Sequence, residues 1–332
     1  MSRLIRNYSL WTDTDGRAIS CHEGGVLRSG GTFYWYGTCY KKNPNGFIGR
    51  KGAPLLSGLN CYSSGNLVDW RYEGCCLEVP KEGWLPEGTW HRPRVLYDSK
   101  SRRYVMWFFC LGSVPPGYPP LPDKGAMGNF VVAVATDPQG PFEIIGPRRL
   151  GDDYGWSGDL ALFQDHDGRG YIAYDDGWRS IRVDLLRDDF LNTTGQSTIA
   201  LKRDDAHRYE GASMIRYKGK YLVAGSGVKG LDPTETICAV ADAPLGPYRY
   251  LGQISRDQTW NSQISAFVHI AESDTLLAIC EQWFRGPDGQ RVPVDESCQL
   301  WLPVSFDPAS EEIDMRHVRQ WDPFTATEQG DF

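Results

Sequence analysis

One pattern recurs five times in this chain of 332 residues: a strand-like run, a turn carrying Gly, Asp or Lys, a second strand rich in Tyr and Trp, and a third strand. It reads GGVLRSGGTFYWYG at 24–37, RPRVLYDSKSRRYVMWF at 92–108, GDLALFQDHDGRGYIAY at 158–174, EGASMIRYKGKYLVAGS at 210–226 and QISAFVHIAESDTLLAICEQW at 263–283. One small sheet cannot bury both of its faces alone, so units of this size bury them by stacking around an axis. Five units predict an all-β fold, a five-bladed β-propeller occupying 1–332 as a single domain.

The third strand also repeats, as FVVAVATDPQGPFEII at 130–145 and TICAVADAPLGPYRYLG at 236–252, each closed by Gly-Pro-aromatic. Taking His22, His91, Gly158, Tyr209 and Ser262 as equivalent blade starts gives spacings of 69, 67, 51 and 53 residues, which puts the insertions in blades one and two. These are the Pro- and Gly-rich stretches at 40–58 and 111–128, lengths at which a loop more often forms a functional rim than a linker. No long amphipathic helix interrupts the β pattern.

The net charge of −7, with both signs interspersed, offers no basic face to a phosphate backbone, which argues against nucleic acid as a partner. No stretch reaches the ~18 apolar residues of a membrane span, and the N-terminus shows no apolar core of signal-peptide length. The expectation is a cytoplasmic protein, monomeric or weakly dimeric, unless a leader has been trimmed. Nine cysteines without paired metal-ligand spacing read as free thiols filling strands, with Cys75-Cys76 the pair to examine.

In a propeller the inner strands line the axis, so polar residues at their starts converge from distant parts of the chain. The five starts are CHEGG at 21–25, WHRPR at 90–94, SGDLA at 157–161, YEGAS at 209–213 and WNSQIS at 260–265. Any one of them alone reads as an ordinary strand end, where Asp, Asn and Gly make turns. Five openings that each carry a charged or amide group are a different matter, because a desolvated carboxylate is costly unless it has a partner or a task. Paired carboxylates facing a pocket with Trp and Tyr suggest hydrolysis of a glycosidic bond, one acid protonating the leaving oxygen while another group activates water. Candidate sugar platforms are Trp90, Trp156, Tyr209, Trp260 and Trp283, each of which is equally readable as core.

These openings resemble glycoside hydrolase family 43 over essentially the whole chain, from His22 to Phe306. The resemblance implies a five-bladed propeller and a triad of base, pKa-tuning Asp and acid Glu on blades one, three and four. GDLALFQDHDGRGYIAY carries the tuning role onto Asp159, and YEGASMIRYKGKYLV carries the acid role onto Glu210. Burial and a neighbouring Asp159 would lift the Glu210 pKa towards working pH.

Blade one reads HEGG where the family has Asp-Pro, so Glu23 falls at the base position. GGVLRSGGTFYWYG, LNCYSSGNLVDW, TWNSQISAF and LWLPVSF are most similar to the exo-β-1,3-galactanase branch, in which the Gln of Asn-Ser-Gln is thought to hold the attacking water. Here that residue is Gln263, and Asn261 precedes it. Glu23 is expected as base with Gln263 orienting the water, although Glu23 equally fits a hydroxyl-binding role.

His91 and Arg92 stand where the branch has Glu before Arg-Pro, which alters the sugar contacts. His22 is expected to contact sugar or to help hold a channel calcium ion, while no cofactor is otherwise required. The DHDG at 165–168 is too short for a twelve-residue calcium loop and reads as a hairpin turn. The expected activity is exo-acting and inverting, releasing terminal galactose- or arabinose-type sugars from plant polysaccharide side chains or oligosaccharides. The rivals are a xylosidase or arabinofuranosidase specificity, or a catalytically silent carbohydrate-binding propeller.

Overall fold

The computed structural model describes residues 4–40, 56–82, 89–113, 127–148, 150, 158–177, 180–204, 207–230 and 232–328. Within them, five four-stranded antiparallel sheets follow one another in chain order, each a simple meander. The inner strands are His22–Ser29, Thr89–Asp98, Leu160–Gln164, Tyr209–Tyr217 and Gln263–Ile270. Each inner strand packs against the inner strand of the next blade, and the last packs against the first, closing the ring. The five-bladed propeller expected from the repeat is therefore the fold.

Burial falls off towards the outer edge of a blade, as stacking requires. The second strand of blade three, Gly170–Asp175, is buried at every residue, whereas the outermost strand of the same blade, Thr193–Leu201, is exposed at most positions. The apolar side chains form layers between blades. One layer joins blades two and three through Trp107, Phe130, Leu160 and Tyr174. Another joins blades one and five, where Trp35 meets Trp70 at 5.2 Å and Trp301 at 5.1 Å between ring centroids. Aromatic pairs at such separations add packing energy beyond the area they bury.

Closure is stitched by the two ends of the chain. Ile5–Arg6 pairs with Gln320–Asp322, and the buried Asn7 donates to the Trp301 and Val318 carbonyls at 2.9 and 2.8 Å while its Oδ1 accepts from the Trp301 N–H at 2.8 Å. Both Gly-Pro-aromatic turns contain a cis peptide, Gly140-Pro141 and Gly246-Pro247. All nine cysteines are free, Cys75 and Cys76 included. The turn at 165–168 is a hairpin: Asp165 N–H donates to the Arg169 carbonyl, and its carboxylate is taken by His166 and Tyr221.

Four of the five inner strands begin with an irregularity of register, between His22 and Gly25, His91 and Arg94, Glu210 and Ser213, and Ile264 and Ala266. A bulge re-aims the side chains at a strand end. In three of them the second residue adopts a left-handed conformation, Glu23 at φ 54°, Arg92 at φ 51° and Gly211 at φ 71°. Glu210 is thus equivalent to His22 and His91, one residue away from the register suggested by aligning Tyr209 with them. The paired glycines after Glu23 are also explained, since a Cβ on Gly25 would stand 2.7 Å from Arg94 Cδ.

Candidate active site

At the end of the axis where the inner strands begin lies a cleft lined by residues from all five blades, including Glu23, His91, Phe109, Asp159, Glu210, Asn261, Gln263 and Trp283. The bulges described above turn Glu23 and Arg92 towards the axis. Arg92 is 1% exposed and is the hub of the site. Its Nε lies 2.8 Å from Asp159 Oδ1 and 4.0 Å from Glu23 Oε2, while its terminal nitrogens donate to the Ile264 carbonyl at 3.0 Å and to Gln263 Oε1. A buried guanidinium is tolerated because two carboxylates and two neutral oxygens surround it.

Asp159 accepts the Gly211 N–H at 3.0 Å through Oδ2, which ties it to the residue immediately after Glu210. Glu210 accepts from Gln263 Nε2 at 2.9 Å. Burial, followed by the negative charge of Asp159, raises the Glu210 pKa to about 8, against the opposing effects of Arg92 and Gln263. A carboxyl held this way carries a proton at neutral pH and can give it up.

Glu23 is 2% exposed. Its Oε1 accepts from the Tyr40 hydroxyl at 2.6 Å and pairs with His91 Nδ1 at 2.8 Å. Burial disfavours the charge, but His91, Arg92 and Tyr40 outweigh it and hold this carboxyl below the usual range. His91 is raised in return: burial opposes its protonation, and Glu23 and Asp159 prevail. The two acids therefore differ as a hydrolytic pair requires, Glu210 protonated and Glu23 ionised.

Sequence reasoning passed over Glu281. Its Oε1 pairs with His22 Nδ1 at 2.7 Å and its Oε2 accepts the Glu23 N–H, so it anchors the backbone that presents Glu23. A lone carboxylate inside the apolar run LLAICEQW was the available signal. Tyr40, Phe109 and Ser226 were also missed, since a Tyr, Phe or Ser in a strand carries no mark of its neighbours.

The remaining candidates are distributed as follows. Trp283 lines the cleft beside His91, with ring centroids 6.4 Å apart, and Asn261 is exposed on the cleft wall. His22 is buried under Tyr40, its ring held by Glu281 and lifted above its ordinary value by Glu281 and Glu23 against the effect of burial. Three aromatic candidates are directed elsewhere. Trp90 is fully buried between blades one and two, Tyr209 packs between blades three and four and stacks on His207, and Trp260 stacks on His317 at 4.8 Å. Trp156 and most of the two long insertions lie outside the described residues. No cluster of metal-ligating side chains occurs among the described residues.

A propeller whose axial cleft holds a protonated carboxyl, an ionised carboxyl and aromatic walls is the arrangement of a glycoside hydrolase. Residues 20–262 match Glycosyl hydrolases family 43, and the chain belongs to that family. Its structure is similar to a family 43 β-1,3-galactosidase solved with galactodeoxynojirimycin, at 25% identity over 96% of this chain and 100% of that one, with a TM-score of 0.77. It is also similar to the exo-β-1,3-galactanase of Phanerochaete chrysosporium solved with β-1,3-galactotriose, at 25% identity over 98% and 70% of the two chains and a TM-score of 0.78. The exo-β-1,3-galactanase of Clostridium thermocellum shares the fold at 23% identity, covering 99% and 68%, with a TM-score of 0.81. No curated protein sequence matches the chain. It is a glycoside hydrolase. Among the described residues no helix is long and apolar enough to cross a membrane.

Proposed function

We propose that this enzyme removes terminal galactose from β-1,3-linked galactan or its oligosaccharides with inversion of configuration. Glu210 serves as general acid and Asp159 keeps it protonated. The observation that carries this reading is the raised Glu210 carboxyl, with a pKa of about 8, facing the same cleft as an ionised Glu23. An acid that is protonated at neutral pH and a carboxylate that is not are the two groups that single displacement by water needs. The choice of galactose rests on the similarity to a solved β-1,3-galactosidase and a solved exo-β-1,3-galactanase.

In this reading water attacks the anomeric carbon as Glu23 accepts its proton, and Glu210 protonates the departing glycosidic oxygen. Gln263 bridges Arg92 to Glu210, so its amide fixes the orientation of the acid while its oxygen faces the guanidinium. The chemistry draws on these side chains without a cofactor, and the enzyme acts as a monomer or weak dimer.

The depth of Glu23, together with its Tyr40 and His91 partners, favours a second reading in which it binds a sugar hydroxyl and Gln263 holds the water. One assay tests the main proposal: a panel of aryl glycosides and β-1,3-galacto-oligosaccharides, with the first-formed anomer followed by NMR. Release of α-galactose from the non-reducing end is expected. Release of β-galactose, or of another sugar in preference, would overturn it.

A further inference from the structure

The chain entering Gln263 has an unusual course. Asp257, Gln258, Thr259, Trp260 and Asn261 have φ of 49°, 56°, 51°, 52° and 60°, and the middle three have ψ of 43°, 38° and 48°. Five consecutive residues, none of them glycine, form a left-handed helical turn. L residues resist it because Cβ crowds the following carbonyl oxygen, so such turns occur as single residues unless the surroundings impose them. Ser262 returns to extended backbone at φ −134°.

Thr259 is what the surroundings hold. It is fully buried, and its hydroxyl donates to the Thr234 carbonyl at 2.8 Å. The Ser255 hydroxyl at 2.8 Å and the Thr236 hydroxyl at 3.0 Å are its other partners. One hydroxyl has one proton and two lone pairs, so both neighbours must donate and Thr259 is saturated. Its carbonyl accepts from the Ser262 hydroxyl at 2.5 Å, and the buried Gln282 donates to the next carbonyl, that of Trp260, at 3.0 Å. On the outer side Trp260 is stacked on His317. Apart from Ser262, which itself lines the cleft, the residues that grip the turn are not part of the cleft lining, and the exposed residue that the turn delivers into the cleft is Asn261.

We infer that Thr259 is a positioning residue whose hydroxyl network locks this left-handed turn, and that the turn makes Asn261 a specificity-determining contact to sugar hydroxyls. A carboxamide offers a donor and an acceptor side by side, the pattern that two neighbouring hydroxyls of a neutral sugar satisfy. A site built to pair with a hydroxyl discriminates strongly against the analogue that lacks it, because its own polar group is then left unpaired. The inference rests on the glycosidase reading above but not on the identity of the sugar.

The test is a double-mutant cycle, measured on whichever aryl glycoside the parent enzyme cleaves best. Asn261→Ala is expected to raise KM about tenfold with kcat within about twofold, and Thr259→Val to do the same. The double variant is expected to be no worse than either single one, because the residues act as a unit. Thr259→Ser, which keeps the hydroxyl, should return KM to near the parent value. Ser255→Ala, which removes one donor, should reproduce part of the loss if Thr259→Val does not fold. Additive effects, or a Thr259→Val or Ser255→Ala enzyme with lower Tm but unchanged KM, would overturn the positioning role. An Asn261→Ala enzyme with parental KM would overturn the contact. A parent that cleaves no β-galactoside but another glycoside would sink the galactose assignment and leave the cycle to be run on that substrate.

Discussion

Gln263 Nε2 donates to Glu210 Oε1 at 2.9 Å while Gln263 Oε1 accepts from Arg92, so one amide couples the acid of blade four to the guanidinium of blade two. Gln263 also donates to the Ser226 hydroxyl at 3.0 Å, leaving both of its N–H groups engaged. The acid is thereby held in one rotamer. Replacing Glu210 with Gln removes the transferable proton while keeping the shape. Turnover should fall at least about a hundredfold, with oligosaccharide binding by calorimetry retained. Equal hydrolysis by variant and parent would remove Glu210 from the acid role.

The pH profile follows from the same carboxyl. With its pKa raised to about 8, Glu210 should produce an alkaline limb in kcat/KM near that value. Its proton is bound more tightly in the folded than in the unfolded protein. The associated stability is therefore fully present below the ordinary Glu pKa and is lost as pH rises towards 8. Melting curves should show the parent losing Tm relative to Glu210→Gln as pH climbs through this window. A constant difference would contradict the raised pKa.

Glu23 and Gln263 can be separated by rescue. Glu23→Ala is expected to lose activity that added azide restores as glycosyl azide, because a small anion replaces the missing carboxylate at the water site. Gln263→Ala should respond little. Rescue confined to Gln263→Ala would transfer the water to the amide and make Glu23 a sugar ligand.

Arg92 neutralises two carboxylates from a fully buried position. Arg92→Met leaves Asp159 and Glu23 facing each other without it, and breaking a buried pair from one side costs about 3–5 kcal/mol. A lower Tm and a further upward shift of the alkaline limb are expected together, since Arg92 now holds Glu210 down. A shift in the opposite direction would show that Arg92 does not hold the acid down.

Closure is testable away from the cleft. Asn7→Ala strips the Trp301 N–H and two carbonyls of their partner, each worth about 1 kcal/mol. Tm should drop while kcat and KM at low temperature stay at parental values. A kinetic defect at 25 °C would mean that the termini do more than close the ring.

Glu210 and Asp159 were legible because each stands at the mouth of an apolar inner strand, where a carboxylate has no structural reason to be. The repeat itself was legible for a related reason: turn residues and period-two apolar runs are local, so they survive in one dimension. The equivalence of Glu210 with His22 and His91 was not, because the bulges at the strand entries add residues without marking the sequence. Neither was the direction of the aromatics. Trp90, Tyr209 and Trp260 stand beside charged or amide residues just as Trp283 does, and only the packing of neighbouring blades decides which ring faces the cleft. Glu281 and Arg92 make the same point for charge. What the chain determined alone was the number of blades and the presence of acids at their openings, since both follow from periodicity and from the cost of burying charge. Which acid keeps its proton was decided in three dimensions, because desolvation and the Coulomb field at Glu210 depend on residues from blades two, three and five that meet only when the ring is closed.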